Sequence, residues 1–67
     1  MSAYVVLHAI HPVSKELAVR FYAATDSGYL GGDVLRFMPD ERVEFNAACT
    51  AHAIPDDVRD RLTLAAG

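Results

Sequence analysis

Apolar and polar positions alternate most regularly between Glu16 and Ala24. Leu17, Val19, Phe21 and Ala23 fall on one face of an extended segment, and Glu16, Ala18, Arg20, Tyr22 and Ala24 on the other. Asp26, Ser27 and Gly28 follow as a group of turn residues, and Gly28 can take a positive φ without steric cost. Tyr29 to Phe37 then reads as the return arm of a hairpin with a three-residue connection. Pairing Thr25 with Tyr29 sets Leu35 beside Val19 and Phe37 beside Leu17, all on the apolar face. Gly31-Gly32 interrupts this arm, as paired glycines do where a strand bulges or another group comes close. One inserted residue turns Arg36 into the apolar face, so parity favours either no bulge or one of two residues.

Upstream, Ala3 to Ile10 is rich in β-branched and aromatic residues. Val5 and Leu7 lie on one face and Tyr4, Val6 and Ile10 on the other, a pattern that suits the interior of a sheet. Pro12 lacks an N–H and restricts His11, so pairing ends there, and Val13-Ser14-Lys15 links to the hairpin.

Arg42 to Thr50 admits two readings. Pro39-Asp40-Glu41 suits a helix start, and Ala47, Ala48, Ala51 and Ala53 favour helix. At about 100° per residue, however, Val43 and Phe45 lie far apart on a helix and no single apolar stripe forms. On a strand, Val43, Phe45, Ala47 and Cys49 line one face, and a turn centred on Asp40 sets Val43 beside Phe37 and Phe45 beside Leu35. The parity favours the strand.

The end of the chain reads as an amphipathic helix ending near Gly67. Pro55 suits its first position, Asp56 and Asp57 face the positive end of its dipole, and Val58, Leu62 and Ala65 form its apolar stripe. The expected fold is a single α+β domain spanning residues 1–67. A four-stranded, largely antiparallel sheet carries one C-terminal helix, which packs on the face made by Leu17, Val19, Phe21, Leu35, Phe37, Val43 and Phe45.

Length changes the picture by setting what must hold such a fold together. A domain of 67 residues is near the lower limit for folding alone. Cys49, the single cysteine, excludes an intramolecular disulfide and fits a reducing compartment, so reinforcement falls to a favourable core or a partner chain, a homodimer included. No basic segment precedes an apolar run of signal-peptide type and no stretch reaches the length of a membrane span, so a cytoplasmic location is expected.

The net charge of −3 conceals an asymmetry. Between Asp26 and Asp60 stand eight acidic residues and three basic ones, a net of 3 − 8 = −5. Direct binding of nucleic acid through a basic footprint is disfavoured.

Candidate chemistry is sparse. His8, His11, Cys49 and His52 supply four potential zinc ligands, but residues three apart on a strand point to opposite faces, and no metal or cofactor is assigned. Cys49 on the inward face reads as a small hydrophobe rather than a nucleophile beside His52, and no catalytic residue is assigned. Gly31-Gly32 lacks the lysine and spacing of a phosphate loop.

Two surfaces remain. The first is acidic, with Asp33, Asp40, Glu41, Glu44, Asp56, Asp57 and Asp60 as candidate partner-binding residues; such a surface is either simply solvated or meets a basic groove on another protein. The second is the sheet face left open by a single helix, expected to carry Ala18, Arg20, Tyr22, Val34, Arg36, Met38, Glu44 and Asn46, with Arg20, Tyr22 and Arg36 as its binding candidates.

In its shortness, its acidity and its lack of a catalytic motif or targeting segment, the chain resembles the very small proteins of phages and mobile elements, anti-CRISPR inhibitors among them. That resemblance is to a class and implies an inhibitor that binds a bacterial nucleoprotein complex and blocks nucleic acid entry or a conformational step. The expected function is a non-enzymatic protein-binding module, foremost an anti-CRISPR-like inhibitor that blocks nucleic acid access through its acidic surface, with the open sheet face as the other surface it could present. The alternatives are a structural or accessory domain that homodimerises through the open sheet face and, third, a small metal-binding domain.

Overall fold

The computed structural model describes residues 3–66, with side chains up to residue 63. Three strands and two helices follow in the order β1 (Tyr4–Ile10), β2 (Leu17–Thr25), β3 (Gly28–Phe37), α1 (Arg42–Ala51) and α2 (Asp56–Ala66). The strands form an antiparallel meander in spatial order β1-β2-β3. The domain is therefore α+β, with three strands and two helices in place of the expected four and one.

β2 is the central strand because its alternation is the cleanest. Leu17, Val19 and Phe21 are buried on the helix side, and Val19 is wholly inaccessible. Burying side chains of this size stabilises by about 1.5–3 kcal/mol each. Phe45, Cys49 and Ile54 complete the buried cluster, with Val5, Ile10, Phe37, Ala48, Val58 and Leu62 packed partly against it. Phe37 meets Phe45 edge-on, with ring centroids 5.3 Å apart.

β1 is an edge strand rather than an interior one. Its register slips between Leu7 and Ala9, leaving His8 as the extra residue. The slip turns Ile10, expected opposite to Val5, onto the helix side beside Leu17.

The hairpin of β2 and β3 keeps the expected inner register, Leu17 opposite Phe37 and Val19 opposite Leu35, and reaches it by another route. Thr25 pairs with Gly28 across a two-residue turn, Asp26-Ser27, with Gly28 at φ 135°. A one-residue shift between Arg20 and Tyr22 then restores the parity. The turn is one residue shorter than expected and the bulge one residue long, and the two differences cancel.

Arg42–Ala51 is a helix, which corrects the expected strand. Its apolar stripe is Phe45, Ala48 and Cys49, spaced i, i+3, i+4, while Val43 points to solvent at 77% exposure. With Val43 outside the core, the inward row that favours a strand is broken at its first member. At the helix end Ile54 N–H donates to Cys49 O at 2.9 Å and Ala53 N–H to Thr50 O at 3.1 Å, with Ala53 left-handed at φ 55°. This is a Schellman closure, and it buries Ile54 against Cys49.

α2 starts at Asp56, one residue later than expected, with Pro55 O accepting from the N–H groups of Val58 and Arg59. Val58 and Leu62 pack toward the core as expected; the side chain of Ala65, and Gly67, lie outside the described residues. Among the described residues, no helix is long and apolar enough to cross a membrane.

Candidate interaction surfaces

Both helices pack on one side of the sheet, so the opposite face of β2 is open. There Arg20 stands between Val6 and Val34, Tyr22 between Tyr4 and Gly31, and Ala18 between Ala9 and Arg36. Alternation puts these residues together, and the short turn adds Tyr29, which pairs with Ala24 rather than Thr25. All three tyrosines of the chain meet. Tyr4 and Tyr22 stack with centroids 4.7 Å apart, and Tyr29 approaches Tyr4 edge-on at 4.8 Å.

The charges on this face are cationic at its centre. Arg36 lies 3.7 Å from Glu16, an exposed pair. Arg20 is half-buried, its Nε is enclosed without an acceptor, and it forms no ion pair among the described residues. A buried donor left unsatisfied is costly and calls for a reason.

Of the residues expected on the open face, Ala18, Arg20, Tyr22, Val34 and Arg36 share it. Glu44 and Asn46 do not, because they belong to α1. Met38 lies past the end of β3. Tyr4, Val6 and Tyr29 were missing from the expectation. Tyr4 and Val6 were legible as one face of β1, whereas Tyr29 depended on the turn length.

The candidate carboxylates fall into three groups. On α2, Asp56 and Asp60 flank Arg59 at 3.5 and 3.3 Å, and Asp57 pairs with Arg61 at 3.5 Å. Arg61 lies just outside the segment that gave the net of −5, and its pairing with Asp57 offsets one charge of that excess. Glu41 is committed locally, its Oε1 accepting from Met38 N–H at 2.8 Å while its own N–H donates to Met38 O. Asp33 at the bulge, Asp40 in the turn and Glu44 on α1 are exposed and make no ion pair among the described residues.

The remaining chemistry is dispersed. His11 Nδ1 accepts from the N–H groups of Val13 and Ser14 and so closes the link between β1 and β2. His52 stacks on Phe21 at 4.5 Å. Cys49 is buried, and desolvation pushes its thiol pKa up, outweighing the opposite pull of the Arg59 charge. Among the described residues, no three of histidine, cysteine, aspartate or glutamate converge as metal ligands.

No protein-family model matches the chain, and no curated protein or solved structure matches it.

Proposed function

We propose that the chain is a non-enzymatic protein-binding module that docks a partner protein through its open sheet face. The observation that carries this reading is the tyrosine cluster beside Arg20, in which Tyr4 meets both Tyr22 and Tyr29. Tyrosine and arginine dominate the energetics of protein interfaces, since each combines a large apolar area with a polar group that needs a partner. The chemistry of that partner follows from Arg20. A carboxylate seated beside its guanidinium, within a rim of tyrosine and valine, forms a charge-assisted contact that no described residue of the chain supplies. A twofold self-interface centred here brings two Arg20 side chains together, which favours a different, acidic partner over a second copy.

A second reading, an anti-CRISPR-like inhibitor meeting a bacterial nucleoprotein complex through carboxylates, is favoured by Asp33, Asp40 and Glu44, which are exposed and form no ion pair among the described residues. Two variants separate the readings in an affinity capture from bacterial lysate, with light scattering on the same protein. Arg20→Glu abolishes partner capture by the sheet face and leaves the inhibitor reading untouched. The double variant Asp40→Lys, Glu44→Lys does the reverse. A wild-type dimer in light scattering instead supports self-association through the tyrosines.

A further inference from the structure

A cleft opens at the other end of the molecule, between the exit of β3 and the start of α1. Its volume is about 190 Å³. Leu17, Phe37, Met38 and Phe45 provide its apolar lining, and Lys15 and Arg42 stand on its walls. A cavity of roughly 150 Å³ holds a benzene ring, so this one has room for a single ring or a branched aliphatic group.

Charge decides what that group carries. The chain has six cationic side chains, and Arg36, Arg59 and Arg61 are each held by a carboxylate. Lys15 and Arg42 make no ion pair among the described residues, and both line this cleft. Glu41, also on its wall, is turned to the Met38 N–H. The site therefore carries an excess of one positive charge in a chain of net −3. The cavity and these two cations, which form no ion pair among the described residues, define the site. Lys15 is also held at φ 65°, with its N–H donating to His11 O, so the loop fixes its backbone at the mouth.

We propose that this cleft binds an apolar monocarboxylate, its ring or branched body on Leu17, Phe37 and Phe45 and its carboxylate between Lys15 and Arg42. Such a group is either a free small acid or the last residue of a peptide with an apolar side chain. This site is independent of the sheet-face reading and lies on the other side of the sheet from Arg20.

The test is an amide-resolved NMR titration of the full chain with 3-phenylpropanoate and, separately, with 3-phenylpropanamide. The acid produces saturable shifts at Leu17, Phe37 and Arg42 with a dissociation constant on the order of 1 mM. The amide, and the acid with the Lys15→Gly or Arg42→Gln variant, bind about tenfold more weakly. Lys15→Gly removes the charge while suiting the left-handed backbone, so the fold is retained. Competition by acetyl-Gly-Gly-Phe with a free carboxylate assigns the site to peptide ends, and failure to compete assigns it to free acids. Equal binding of acid and amide, unaltered binding in both variants, or shifts confined elsewhere overturn the proposal.

Discussion

The ring of Tyr22 lies over Gly31. A Cβ at Gly31 falls 2.5 Å from Tyr22 Cε1 and 3.0 Å from Cδ1, whereas a Cβ at the neighbouring Gly32 meets nothing within 4 Å. The glycine pair in β3 thus has one member that seats an aromatic ring and one that does not. Because Tyr22 also stacks on Tyr4, Gly31 holds the geometry of the tyrosine cluster.

Opposite signs follow for two conservative substitutions. Gly31→Ala forces the Tyr22 ring aside and costs about 1–3 kcal/mol, the usual penalty for overpacking. Gly32→Ala meets open space and reduces unfolded-state entropy, gaining about 0.4–1 kcal/mol. Chemical denaturation of the two variants measures both, and equal effects of one sign refute the seat.

Val43 tests the helix assignment. As an exposed helical residue, Val43→Ala raises stability by about 0.5 kcal/mol through helix propensity. As an inward strand residue, it instead loses on the order of 2 kcal/mol of burial. The direction of the change in melting temperature separates the two.

The readable parts of the fold were those where local alternation and core packing agreed. β2 shows a strict two-residue period, and the inner register of the hairpin follows from it. In α1 the stripe rests on one phenylalanine, one alanine and one cysteine, and Val43 on the opposite face mimics a strand pattern. Its end is hidden as well, because Ala53 occupies the left-handed position that glycine usually marks. The open face was half legible for a similar reason. Arg20, Tyr22 and Arg36 follow from β2 and the inner register, while Tyr29 required knowing that the turn takes two residues.

Ala53 yields a third prediction. The left-handed region costs an L-residue roughly 1–2 kcal/mol, part of which glycine loses again in the unfolded chain. Ala53→Gly therefore stabilises by about 0.5–1 kcal/mol and raises the melting temperature by several degrees. A lower melting temperature contradicts the Schellman closure.

Cys49 gives a pH dependence. Burial raises its thiol pKa above the ordinary 9.0, so the folded state holds the proton more tightly than the unfolded state. The resulting stabilisation is complete below the unfolded value and is lost as pH rises through the folded one. Melting temperatures of the wild type and Cys49→Ala, compared across that alkaline window, show a steeper fall for the wild type. In the native state at neutral pH the thiol reacts with aromatic disulfide reagents only as fast as the domain opens.

The most direct test of the docking surface is a photo-crosslinking amino acid placed either at Val6, on the open face, or at Glu44, on α1. With lysate present, docking through the open face gives a crosslinked partner from position 6 and none from position 44. A product from position 44 alone, or a crosslink from position 6 only to a second copy of the chain, contradicts it.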